Sequence, residues 1–151
     1  GACVMPTLTA APRAGVPVPT AEMSRIATTV CGVVASPTEL DATLGFCALA
    51  DLLTPCDENL YDDLPAPQRT AIRAALLLEE APGDIDPRAV AVAFRTLLGA
   101  LARQQPLALV IDDAHWLDGA TTQALGHALR RSTGLPIRVV AATRPVRRRL
   151  R

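Results

Sequence analysis

LALVIDDAHWLD, residues 107–118, decides the fold. Leu107 to Ile111 are all apolar, and they run straight into two carboxylates, Asp112 and Asp113. A run apolar at every position, rather than at every second one, fits a strand buried on both faces, the ordinary state of a central strand in a parallel sheet. Pro106 opens the run. A few residues beyond it, Asp118 can cap a helix read over residues 119–132.

The same alternation extends outward in both directions. Downstream, Gly134-Leu135-Pro136 turns the chain into IRVVAATR, residues 137–144, a second apolar strand with Arg144 at its end. Upstream, Asp86-Pro87 is a helix start, with Asp as cap and Pro at the first helical position. That helix runs to about Arg103, and Ala89, Val92, Ala93, Thr96, Leu97, Ala100 and Leu101 form its apolar stripe. An acidic loop precedes it, and helices are read over residues 65–78 and 45–53. Val33-Val34-Ala35 is a short buried strand. Gly32 ends a helix over residues 21–31, capped by Thr20. ACVMPTL, residues 2–8, reads as a further strand that Pro6 weakens. Strands alternating with helices give an α/β fold, a doubly wound and mostly parallel sheet. In such sheets ligands bind beyond the C-terminal strand ends, where Asp112, Asp113, Thr143 and Arg144 fall.

Composition sets the outer limits. The 151 residues suit one domain, and they are 50% hydrophobic with a single Trp, a single Tyr and two Phe. Ala, Leu and Val must therefore fill the core. Zero net charge excludes a chain that binds polyanions over its whole surface. All fifteen basic residues are Arg; there is no Lys. The four cysteines form no C-x-x-C pair and lie far from both His in sequence, which argues against zinc and for free thiols in a reducing compartment. No signal-peptide pattern and no apolar run near the ~20 residues of a membrane span are present. The expected location is the cytoplasm.

Two acids at a strand end have the form of a Walker B motif. Asp112 is then the Mg²⁺ residue, usually through water, and Asp113 orients or activates the attacking water. A surface turn whose Asp caps the next helix is the plainer reading of the same residues. Further segments weigh on the choice. TLGFCALADLL (43–53), LPAPQRTAIRAAL (64–76), AVAFRTLLGALARQQPLALVIDDAHWLD (91–118) and VVAATRP (139–145) together resemble, in order and spacing, the ATPase domain of large LuxR-type bacterial transcription regulators, signal-transducing P-loop ATPases of the STAND and AAA-like kind. The resemblance implies a P-loop NTPase core over residues 1–151, with the Walker B strand at 107–113 and a sensor strand at 137–144. It implies ATP and Mg²⁺ as cofactors, slow hydrolysis and a switch controlling transcription. It places Thr143 and Arg144 near the terminal phosphate, Arg144 in a catalytic role. It does not reach the family's lid or helix-turn-helix, so the expectation is a truncated or degenerate copy.

Within that frame, LTAAPRAGVP, residues 8–17, stands where the phosphate loop belongs. The loop pattern is G-x-x-x-x-G-K-[ST], and residues 10–17 lay Ala, Ala, Pro, Arg, Ala, Gly, Val and Pro on it. Pro12 and Gly15 keep the pattern, while Ala10 and Arg13 stand where the family usually has Gly. Pro12, Arg13 and Gly15, with Thr143, are the expected nucleotide contacts. Val16 cannot neutralise a phosphate, and Pro17 offers neither a hydroxyl to Mg²⁺ nor an N–H to a phosphate. A chance Ala/Pro/Gly loop is the alternative. Arg13 and Arg144 can supply positive charge, but a guanidinium does not sit where the loop lysine sits. ATP binding and turnover are expected to be impaired, since a lost charge-assisted phosphate contact commonly costs about 2–5 kcal/mol. The rival reading is a non-enzymatic interaction module that self-associates or pairs with a larger regulator.

Other residues carry plainer expectations. His115 turns outward or bonds locally, and Trp116 packs under the Walker B loop. Arg130 and Arg131 are a solvated face, or in an oligomer an arginine finger. Nothing marks Cys47 or Cys56 as a nucleophile. RPVRRRLR, residues 144–151, carries five Arg and no aromatic residue. It either touches phosphate backbones weakly, with a log–log salt slope of about −3 to −4, or begins a solvated helix. No specific DNA binding and no membrane contact are expected.

Overall fold

A computed structural model of the chain describes residues 31–144 except Pro82. The expected strand over residues 2–8, the phosphate loop with Pro12, Arg13 and Gly15, the helix from Ala21 to Val30 and the tail after Arg144 lie outside the described residues.

Three parallel strands form one sheet in the order β1 (Cys31–Ala35), β2 (Leu107–Ile111) and β3 (Ile137–Ala141). The central place of β2 is the one its unbroken apolar run called for. Val33 stands beside Leu109, and Leu109 beside Val139. Between β1 and β2 come α1 (Cys47–Leu53), the single turn α2 (Asn59–Asp62), α3 (Ala66–Ala75) and the long α4 (Pro87–Gln104); α5 (Gly119–Arg130) joins β2 to β3. Cys31, Val33, Ala35, Leu107, Leu109 and Ile111 are buried, whereas Val34 is 38% exposed and Val140 60%. The strands therefore have one dry face and one more open face. On β3 even Val139 is exposed, so that strand is open on both sides of the sheet.

The buried core joins that dry face to α1, α4 and α5, with Phe94, Leu97 and Leu98 of α4 among its fully enclosed side chains. Asp86 caps α4, its carboxylate accepting from the Arg88 N–H with Pro87 at the first position, as the sequence indicated. The buried face of α4 is turned relative to the expected stripe. Val90, Ala91, Ala93, Phe94, Leu97, Leu98, Leu101 and Ala102 are buried, while Ala89, Val92, Thr96 and Ala100 are only partly so. With α3 on one side and α5 on the other, α4 buries a wider arc than a one-sided amphipathic stripe. Cys31 and Gly32 belong to β1 rather than to the end of a helix, because they extend the ladder to Leu107 and Ala108. The α3 helix stops at Ala75, before the expected Leu78, as the Leu77 N–H turns back to the Ala74 carbonyl and Leu78 N–H to that of Arg73.

Tyr61, the single tyrosine, is buried in α2. Burial, reinforced by the negative charge of ionised Cys56 and of Glu58, pushes its phenol up to about 12. The unfolded chain ionises at about 10, so the folded state loses stability as pH rises from there through the folded value. An alkaline absorbance titration is expected to show a single phenolate transition shifted upward, returning to the ordinary value in denaturant. A midpoint unchanged by denaturant would contradict the burial of Tyr61.

Candidate functional site at the carboxyl end of the central strand

The site grows out of the end of β2. The Asp112 N–H still donates to the Ala35 carbonyl at 2.9 Å, so Asp112 is fixed to the sheet although its side chain is exposed. One carboxylate oxygen accepts the Asp113 N–H at 3.0 Å. The Asp112 side chain has no other hydrogen-bond partner among the described residues.

Asp113 then turns the chain sharply. Its backbone is left-handed, φ 50° and ψ 45°, a region Asp tolerates better than most residues. The turn leads into a 3-10 segment (Ala114–Trp116), whose Trp116 N–H returns to the Asp113 carbonyl at 2.9 Å. The turn is tied to β3 as well. Ala114 N–H donates to the Ala142 carbonyl at 2.7 Å, and Ala142 N–H to that of Ile111 at 2.9 Å. This tie carries Thr143 and Arg144 to the same edge as the two carboxylates.

Asp113 is the hub of the side chains there. Its Oδ1 lies 3.3 Å from Arg144 Nε and 3.8 Å from His115 Nδ1. The Arg144 side chain is 77% exposed, so the pair contributes at most ~1 kcal/mol to stability. Its importance is positional, since it holds one guanidinium against the second acid of the motif. His115, expected to turn outward or bond locally, is half-buried. Its Nδ1 is buried and too far from Asp113 for a hydrogen bond, and it has no other partner among the described residues. The imidazole leans on Trp116, ring centres 4.8 Å apart, and the half-buried Trp116 packs against the turn. Thr143 is exposed, its hydroxyl 3.5 Å from the Arg144 carbonyl and out of contact with either carboxylate. Asp112, Asp113 and Arg144 are thus brought together, and Thr143 is adjacent but separate.

Asp118 does more than cap α5. Its Oδ1 accepts from the Thr121 N–H at 2.8 Å and also from the Phe46 N–H at 2.9 Å. Thr121, fully buried, takes the Leu49 N–H on its hydroxyl at 3.1 Å. Two first-turn amides of α1, which a helix leaves without internal partners, are therefore satisfied from a helix that follows the carboxylate motif. The contact reaches across 72 positions of sequence, and only the capping half of it has a local signal. Cys47 begins α1 beside this joint. Burial first, then the nearby Asp41, Asp118 and Asp51, push its thiol upward, opposite to what a nucleophile needs.

Among the described residues no group of three or more His, Cys, Asp or Glu is placed to hold a metal. Mg²⁺ does not require one, since it takes one or two carboxylates and completes its shell with phosphate oxygens and water. The exposed carboxylate of Asp112 fits that role. No described helix is long and apolar enough to cross a membrane.

Residues 20–140, well over half of the chain, match the family described as AAA ATPase domain. The matched span contains Asp112 and Asp113, begins after residues 10–17, and ends before Thr143. No curated protein and no solved structure matches the chain.

Proposed function

We propose, from the premise that this chain belongs to the AAA ATPase domain family, that it is a nucleotide-responsive switch module of the kind LuxR-type transcription regulators use, with a weakened hold on ATP. The observation that carries the reading is the strand-end pair. Asp112 is held by the sheet with its side chain exposed, and Asp113 is held in a left-handed turn against Arg144. A bound Mg²⁺ would supply charge neutralisation for the nucleotide's phosphates. Asp112 is its candidate ligand, Asp113 the candidate for orienting an attacking water, and Arg144 the candidate contact to the terminal phosphate. Pro12, Arg13 and Gly15 are the proposed loop contacts, and Thr143 stands at the edge of the same site. Val16 and Pro17 in the loop weaken the site, because they offer a phosphate neither the charge nor the hydroxyl that the pattern calls for.

Calorimetric titration with Mg-ATP tests this. Binding weaker than about 100 μM is expected, lowered a further tenfold or more by Asp112→Ala, the loss of one ligand charge being worth at least ~1.4 kcal/mol. Asp112→Ala without effect on measurable binding would remove Asp112 from the metal role.

A second reading, a non-enzymatic interaction module, is favoured by one feature: Asp113 already engages Arg144, the one described basic side chain at this edge with an acidic partner. Light scattering with and without nucleotide separates the two. Assembly that changes with Mg-ATP supports the switch, and an assembly state unchanged by Mg-ATP together with no measurable Mg-ATP binding supports the interaction module. Under either reading no sequence-specific DNA binding is proposed for this chain.

A further inference from the structure

The end of α3 has a feature that neither the backbone nor the core requires. The helix closes with the paired bonds Leu77 N–H to Ala74 carbonyl and Leu78 N–H to Arg73 carbonyl. That closure puts the residue after the cap in the left-handed region, where glycine is easiest. Here it is Leu77, at φ 57°. Its side chain is 89% exposed, and that of Leu78 beside it 43%. The two leucines line a groove of about 450 Å³ with Ala74, Ala81 and Ile85, and these last three also line an adjoining groove of about 400 Å³ between α3 and the start of α4.

The rim of this apolar trough is acidic. EEAPGDID, residues 79–86, holds four carboxylates and no base. Glu79 pairs with Arg73, and Asp86 is spent on the cap of α4. Glu80 and Asp84 are exposed and have no ion-pair partner among the described residues. The chain as a whole is neutral, so an excess of base stands elsewhere. It is concentrated in PVRRRLR, residues 145–151, where Arg147, Arg148, Arg149 and Arg151 are interleaved with Val146 and Leu150. Apolar residues among positive charges are the complement of an apolar trough edged by the unpaired carboxylates of Glu80 and Asp84.

We propose that the groove bordered by Leu77 and Leu78 receives the arginine-rich run of residues 145–151 from a second copy of this chain. Val146 or Leu150 enters the trough, and the flanking guanidiniums face Glu80 and Asp84. Each copy carries one groove and one run, so two copies can close a reciprocal pair in which both grooves are filled.

Sedimentation velocity of the full chain tests the proposal. At tens of micromolar and about 50 mM salt a dimer is expected, and at about 500 mM the exposed charge pairs are screened and the monomer dominates. Glu80→Arg with Asp84→Arg is expected to weaken dimerisation by tenfold or more, and Arg148→Glu with Arg149→Glu to do the same. Combining the four changes restores the dimer, which no loss of folding could imitate. Leu77→Ser weakens it without altering its response to salt. A monomer under all conditions overturns the proposal. So does a dimer indifferent to both charge reversals, which would place self-association on another surface. Neither result touches Asp112, so the nucleotide titration stands or falls separately.

Discussion

Asp118→Ala is expected to destabilise the folded chain by about 2–4 kcal/mol, the largest loss from any single polar side chain described here. One carboxylate oxygen serves two backbone amides, those of Thr121 and Phe46. Without it the cap of α5 and the tie to α1 go together, at a residue only 2% exposed. Asp118→Asn keeps an oxygen acceptor in place and should recover much of the loss. Thr121→Val removes only the acceptor for Leu49 N–H, at a cost of about 1–2 kcal/mol. Urea unfolding followed by Trp116, the single tryptophan, measures all three. A cost for Asp118→Ala no greater than that for Thr121→Val would mean that the tie to Phe46 contributes nothing.

The second large effect is a gain. Val16→Lys combined with Pro17→Thr writes the missing lysine and hydroxyl into residues 10–17. If those residues are the phosphate loop, Mg-ATP affinity should rise by about 30- to several-thousand-fold, the equivalent of 2–5 kcal/mol for a recovered charge-assisted contact. Asp112→Ala placed on top should take back part of that gain, because the metal and the lysine act on the same phosphates. An unchanged titration curve would show that residues 10–17 are an Ala/Pro/Gly loop that meets no nucleotide. The position of the loop rests on the sequence pattern alone, which makes this experiment its direct test.

How much could be read from the chain differed by element, and for physical reasons. The strand at Leu107–Ile111 needed only its own five residues, because an unbroken apolar run of that length marks a central strand, although its Ala108 and Val110 face is only partly buried. Asp86-Pro87 marked the start of α4 with equal economy, since a cap and a fixed φ are local properties. The buried arc of α4 was not local. It depends on α3 and α5 packing from two sides, and a stripe counted at helical spacing assumes one. His115 went the same way. His115 reads from the sequence as turned outward or locally bonded, yet it is half-buried against Trp116, its Nδ1 without a hydrogen bond among the described residues. The chemistry was more legible than its arrangement. Asp112, Asp113 and Arg144 were identifiable as strand-end residues, but the pairing of Arg144 with Asp113 depends on the bond from the Ala114 N–H to the Ala142 carbonyl, which ties the turn after β2 to the end of β3.

The open β3 strand bears on how this polypeptide behaves in concentrated solution. Ile137, Val139 and Val140 are strong strand formers, no proline interrupts residues 137–142, and Arg138 is the sole charge there. Such segments stack into fibrillar sheets when their edges meet. Arg138 is exposed, and its guanidinium folds back onto the carbonyl of Ile137 rather than reaching a carboxylate. It therefore acts as a gatekeeper, a charge whose burial between stacked strands would be prohibitive. Arg138 is thus expected to favour solubility without taking part in the proposed nucleotide site. A substitution there with no effect on folding or on ATP would still be expected to lower solubility.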